Sequence, residues 1–160
     1  MKLLTDILKE GASKYSSRPA LTMKMGFRVV EFTYAEFYET SKRVALFLEE
    51  QGVKAGDKVV ICAPNSPYWM AVFFGCNLIG AIPVPLNIQS TADIVRLVVE
   101  QTEAKLFFKY QGLKLELPEH LITFNVEGLA EKIEDLDAAE FQERELSEDE
   151  IGRASCRERV

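Results

Sequence analysis

The feature that most constrains this chain is a cycle of capped helix and apolar strand that begins at Phe32. Thr33 stands three residues before Glu36, a spacing in which two side chains satisfy free N–H groups of a helix start reciprocally. Phe37, Ser41, Val44, Ala45 and Leu48 then share one helical face, and Gly52 follows where a residue tolerant of positive φ is needed. Gly56-Asp57 turns the chain into Lys58–Ala63, KVVICA, a continuous apolar run of the kind covered on both faces. Ser66 as N-cap and Pro67 in the first helical position open a second helix, Tyr68–Ile79, apolar on most sides and ended by Gly80. Ala81–Leu86, AIPVPL, is extended, and its prolines place it at a sheet edge or leaving the sheet. A third helix runs from the Thr91 cap to about Glu103 with Ile94, Val95 and Val98 on its inner side, before the strand Leu106–Lys109. This alternation implies right-handed crossovers and an α/β fold: a largely parallel sheet with helices on both faces.

The flanks are plainer. Leu3, Leu4, Ile7, Leu8 and Ala12 form the stripe of a helix over residues 3–15. Ala20–Met25 and Arg28–Phe32 read as a hairpin around Gly26-Phe27. Gln111–Glu119 reads as a loop or hairpin, Leu121–Phe124 as a short strand, and Leu129–Phe141 as one helical piece.

Composition excludes several function classes. At 160 residues, 48% hydrophobic and 28% charged, the chain has enough apolar material for one cored domain and is not a disordered segment. Its net charge of −6 is wrong for a nucleic-acid partner. The acidity is local: residues 127–150 hold eleven acids against two bases, whereas residues 1–126 are nearly balanced. A solvated face accounts for that segment; a docking tail for a basic partner is the alternative. Cys62, Cys76 and Cys156 have no paired spacing, which argues for a reducing, cytoplasmic location. His120 is the only histidine, so a His-pair zinc site is excluded and a Ser-His-Asp triad is disfavoured. Asp6, Lys9 and Glu10 interrupt any signal-like run. Met70–Leu86 is short for a membrane span and contains Asn77, two glycines and two prolines.

No chemical motif stands out. Gly75 to Gly80 matches G-x-x-x-x-G, but Ala81 and Ile82 follow where a phosphate loop has Lys and Ser/Thr; the pair reads as a helix glycine and a C-cap. No G-x-G-x-x-G occurs. Trp69, Phe73 and Phe74 lack interleaved bases and read as core, not as a platform for nucleic-acid stacking. Cys62 and Cys76 lack neighbouring cations that would activate a thiol. Asn65, between Pro64 and Ser66 at a strand's carboxyl end, is the most suggestive polar position, since such folds hold ligands there, but a turn-making role outweighs a ligand-binding one. No catalytic, cofactor-binding or metal-ligating residue is assigned.

The order of segments is more specific than their chemistry. Phe32–Phe37 (FTYAEF), Gly52–Trp69 (GVKAGDKVVICAPNSPYW) and Gly80–Asn87 (GAIPVPLN) resemble the N-terminal portion of the AMP-forming acyl-activating enzymes, which include acyl-CoA synthetases, firefly luciferase and peptide-synthetase adenylation domains. The resemblance is nearly gapless from about Leu4 to Phe108 and looser to Ile151. It implies a parent that joins a carboxylic acid, with a fatty acid expected, to coenzyme A at the expense of ATP. The route would pass through an acyl-adenylate, with Mg²⁺ on the phosphates. In the family a Ser/Thr/Gly-rich loop with a lysine, later aromatic and acidic motifs, and a C-terminal lysine hold the nucleotide; none is present here. Leu146–Ile151 (LSEDEI) leads into that loop in relatives, whereas here Gly152–Val160 (GRASCRERV) follows. The expectation is therefore residues 1–151 as the N-terminal part of an AMP-binding domain, and 152–160 as a foreign tail. The chain itself should be inactive, without bound cofactor, and prone to self-association through uncovered surface. A free-standing non-catalytic α/β binding module and an acidic-tailed interaction protein are the competing readings.

Overall fold

Side-chain caps decide where the three central helices begin. Thr33 Oγ1 accepts the Glu36 N–H at 3.2 Å, and Glu36 Oε2 accepts the Thr33 N–H at 2.8 Å. Ser66 Oγ accepts from the Trp69 N–H at 3.0 Å, and Thr91 Oγ1 from the Ile94 N–H at 3.4 Å. Each such cap contributes about 1 kcal/mol by satisfying a donor that no helical carbonyl can reach. The computed structural model describes residues 3–25 and 27–144. Its elements are α1 (Leu4–Lys14), β1 (Pro19–Met25), β2 (Arg28–Thr33), α2 (Tyr34–Glu50), β3 (Lys58–Cys62), α3 (Pro67–Leu78), β4 (Ile82–Pro85), α4 (Ala92–Thr102), β5 (Leu106–Lys109), β6 (Ile122–Asn125) and α5 (Leu129–Ile133). Short 3₁₀ turns occupy Val126–Gly128 and Ala138–Glu140.

β1 and β2 form an antiparallel hairpin; the other strands form a parallel sheet in the order β4-β3-β5-β6. The order explains the layers. From β3 the chain moves one way to β4, then back across β3 to β5 and on to β6. Right-handed connections must therefore switch face between the first crossover and the later ones. α3 accordingly lies on one face, with α1, α2 and α5. α4 and the 111–121 loop lie on the other. The pleat distributes the strands between them: Val59, Ile61, Leu106 and Phe108 enter the first cluster, Val60, Cys62 and Phe107 the second. β4, with Pro83 and Pro85, is an edge strand, as its missing N–H groups require.

Three details differ from the pattern in the sequence. α1 buries Thr5, Leu8 and Gly11 and turns Leu4 and Ile7 outward, because Gly11 sits against the Tyr34 ring: a Cβ there would lie 2.7 Å from Tyr34 Cδ1. α4 buries Val95 and Val99 while Ile94 stands 48% exposed. The single helix on that face needs only an i, i+4 seam. The helix expected over Leu129–Phe141 stops at Ile133. Leu136 N–H turns back to the Ile133 carbonyl at 3.2 Å, and Asp137 Oδ1 accepts the Ala139 N–H at 2.9 Å. An aspartate that bonds its own backbone competes with helix continuation. Residues 152–160, with Cys156, lie outside the described residues.

Candidate functional site

The carboxyl ends of the parallel strands are where this topology can receive a ligand. The connections after β3 and β5 depart to opposite faces, the arrangement that favours a ligand beside those two strand ends. Hydrogen bonds tie this rim of the sheet together. Tyr110 N–H donates to the Cys62 carbonyl at 3.1 Å, and Leu86 N–H to the Ile61 carbonyl at 2.8 Å. Cys62 Sγ lies 3.7 Å from the Asn87 carbonyl, to which it donates. Asn87 Oδ1 accepts the Gln89 N–H at 2.9 Å, the local turn that an asparagine makes well. Gln111 N–H donates to both carboxylate oxygens of Glu127 at 3.1 Å, which joins the ends of β5 and β6.

Asn65 stands exposed at this rim, and its amide makes no hydrogen bond to another described residue. The turn-making role falls to Asn87, which spacing alone does not single out. Ser66 is committed to its cap. Lys109 Nζ, the nearest cation on β5, donates to the Leu113 carbonyl at 2.9 Å and closes its own loop. Both buried thiols are held protonated: desolvation pushes Cys62 and, more strongly, Cys76 above the ordinary thiol range. They serve as small apolar side chains. Trp69, Phe73 and Phe74 are half-buried packing residues: Trp69 stacks on Phe73 at 5.8 Å, and Phe74 meets Phe37 of α2 edge-on at 5.4 Å. Gly75 is the helix glycine expected, and Gly80 closes α3 with φ of +75°. His120 is exposed on the β5–β6 connection.

A second polar cluster was invisible in the spacing. Glu143 Oε2 accepts from Lys9 Nζ of α1 at 2.6 Å, and its other oxygen accepts from the Tyr38 hydroxyl of α2. Arg144 pairs with Glu49 at the far end of α2. The Lys9 hydrogen bond, and then the Tyr38 one, hold the Glu143 carboxyl below its usual range. Burial, and then the Glu143 hydrogen bond, push the Tyr38 hydroxyl well up. These partners are 134, 105 and 95 positions apart, so no local pattern could reveal them.

The chain matches the family model described as AMP-binding enzyme over residues 8–156. It belongs to the AMP-binding enzyme family. It is 37% identical over 97 residues to a 4-coumarate–CoA ligase of Vanilla planifolia, covering 61% of this chain and 17% of that one. A putative acyl-CoA synthetase of Bacillus subtilis is 32% identical over 98 residues, covering 61% and 18%. The fold matches the N-terminal domain of FACL13 from Mycobacterium tuberculosis with a TM-score of 0.81 at 23% identity, over 94% of this chain and 40% of that one. The chain thus spans less than a fifth of the length of these two curated relatives. The family implies ATP, Mg²⁺ and a carboxylic acid for the whole enzyme, with coenzyme A in its ligases. Among the described residues there is no group of three or more His, Cys, Asp or Glu side chains that could hold a metal, and Lys109 at the rim already donates to the Leu113 carbonyl. No described helix is long and apolar enough to cross a membrane.

Proposed function

We propose that this chain is the scaffold-bearing N-terminal piece of an ATP-dependent acyl-CoA synthetase. The observation that carries the reading is the family match over residues 8–156, together with relatives named as CoA ligases and synthetases. The parent would convert a carboxylic acid, ATP and coenzyme A to an acyl-CoA, AMP and pyrophosphate. What this chain's own residues would contribute is placement: a parallel sheet, a hydrogen-bonded rim at its carboxyl ends, and the exposed Asn65 amide just after β3. Phosphate and metal binding would fall to residues outside this piece, so the chain alone is inactive. Residues 152–160 are read as a foreign tail and the cytoplasm as the location. A fatty acid is the expected substrate; the relatives named for 4-coumarate support an aromatic acid as a second reading.

Calorimetric titration of the purified chain with ATP and Mg²⁺, and a pyrophosphate-release assay with a fatty acid and with 4-coumarate, test this. No binding and no release are expected. Tight Mg²⁺-dependent ATP binding, or release with either acid, overturns the scaffold reading. The coding DNA after the Ile151 codon tests the parent: a Ser/Thr/Gly-rich, lysine-containing loop in frame is expected, and an unrelated continuation contradicts it.

A further inference from the structure

Glu143 sits where two distant parts of the chain meet. Its side chain is about half exposed, yet both oxygens are engaged, one by α1 through Lys9 and one by α2 through Tyr38. Tyr38 is itself held: Lys42 lies over its ring, 4.8 Å from the centroid, and pairs with Glu39 at 2.7 Å. Two residues before Glu143, Phe141 is buried in the main core, and one residue after it Arg144 is paired to Glu49. The segment 141–144 therefore carries an apolar anchor, a two-pronged carboxylate and an ion pair within four residues. Thr5 and Lys9 of α1, Leu78 of α3, and Phe141, Glu143 and Arg144 enclose one small cleft, so these contacts converge on one place.

The rest of the structure explains why such a device is useful. α1 is held to the core by a narrow seam of Thr5, Leu8 and Gly11, with Ile7 outward. α5 is only one turn and a half long, and among the described residues after it the 3₁₀ turn Ala138–Glu140 is the one regular piece. Each of these segments has few buried residues: Thr5, Leu8 and Gly11 on α1, and Ala138 and Phe141 beyond α5. We propose that Glu143 is a positioning residue that couples α1 and residues 141–144 to α2 as one unit, and so fixes the place of the chain up to Arg144. The functional meaning rests on the scaffold reading: a piece that must present a downstream nucleotide-binding segment needs a fixed point of departure. Phe141 supplies depth, Arg144 supplies a second point along α2, and Glu143 couples both to the N-terminal helix.

The test is hydrogen–deuterium exchange on the full 160-residue chain and on Glu143→Gln, Arg144→Gln and Phe141→Ala. An exposed or half-exposed charged contact corresponds to roughly 0.2–1 kcal/mol, or a population change of about 1.4- to 5-fold. Glu143→Gln is expected to speed exchange in α1 and in residues 138–144 together, by a similar factor in that range, with β3 and β5 unchanged. Arg144→Gln is expected to affect residues 138–144 without α1. Acceleration in only one of the two segments with Glu143→Gln, or in neither while Phe141→Ala loosens residues 138–144, overturns the proposal. No substrate or nucleotide enters the measurement, so its failure is distinguishable from failure of the acyl-CoA synthetase reading.

Discussion

The two faces of the parallel sheet are built to different standards. One carries α1, α2, α3 and α5 and a continuous core that runs from Leu8 to Phe141. The other carries α4 and the irregular β5–β6 connection, with Val60, Cys62, Val95, Val99, Phe107 and Leu121 as its buried cluster among the described residues. The thick face holds its strands by helix packing in two layers: Phe37 meets Phe74 between α2 and α3, and Phe47 meets Phe124 of β6 at 4.9 Å. The thin face leaves Ile94 and Leu97 of α4 about half exposed and relies on half-buried Leu113, Leu115 and Leu117 to complete it. A parallel sheet needs cover on both sides, but the cover need not be equal. Stability should therefore reside in one face and adaptability in the other.

Phe107 and Phe108 give the sharpest way to break that comparison, since they are adjacent, fully buried and directed to opposite faces. Truncating a core phenylalanine costs about 3–5 kcal/mol, set by how far the surroundings collapse into the hole. Phe108→Ala is expected at the top of that range, because packed helices surround it and its ring lies 6.0 Å from that of Phe124. Phe107→Ala is expected near the bottom, because the 111–121 loop can move inward. Urea denaturation of both variants measures the difference; a larger loss for Phe107→Ala would invert the assignment of the two faces.

Gly75→Ala probes the thick face from the other direction. A Cβ at Gly75 would lie 2.8 Å from Val44 Cγ1 and 3.2 Å from the Ala45 backbone nitrogen. The valine can shift, but the backbone of α2 resists, so overpacking should cost about 1–3 kcal/mol despite the better helix propensity of alanine. A stabilised variant in thermal denaturation would show that α2 and α3 are not in close register. Smaller again is Thr33→Ala, which removes the N-cap of α2 and should cost about 1 kcal/mol. Urea denaturation checks it, and an unchanged midpoint would show that α2 is held by its packing alone.

The difference between the faces also explains what could be read from the sequence. The central cycle was legible because its information is local: Thr33 with Glu36, Ser66 with Pro67, and the unbroken run Lys58–Ala63 each specify an element without reference to anything distant. The edge position of β4 followed from the prolines for the same reason. The orientation of α1 did not, because it depends on the close approach of Gly11 to Tyr34. The early stop of α5 depends on Asp137 bonding its own backbone in preference to extending a helix. At the candidate site, the place of Asn65 at a strand end could be read from the chain. Asn87, Lys109 and Glu127 were missed because their partners are set by loops that meet only after folding. The Glu143 cluster joins positions more than a hundred residues apart and left no trace in spacing.

The smallest expected effect concerns pH and adds a third term to the comparison, since the thick face also carries the polar fastening. Lys9 and then Tyr38 hold Glu143 below the usual carboxylate range, while partial burial opposes them and the charge of Lys42 adds a little; Glu39 and Arg144 are the other charged groups nearby. A carboxyl whose folded pKa is depressed contributes stability above its unfolded value, about 4.3, and loses that contribution as pH falls through the lower folded value. Tyr38 acts with the opposite sign: its raised hydroxyl favours the folded state below about pH 10, its ordinary value, and stops doing so as the group ionises at higher pH. The fastening is thus complete between those limits. Half of the Glu143 side chain is exposed, so its contribution is roughly 0.2–1 kcal/mol at most. Glu36 is depressed by the same sign of effect through its Thr33 bonds, but it is present in both proteins and cancels when the parent chain is compared with Glu143→Gln. The expected result is a small stability gap between the two at pH 7 that closes steadily toward pH 3. A gap that stays constant through that range would mean that Glu143 acts by packing and not by charge. That would leave the thick face held by its apolar contacts alone.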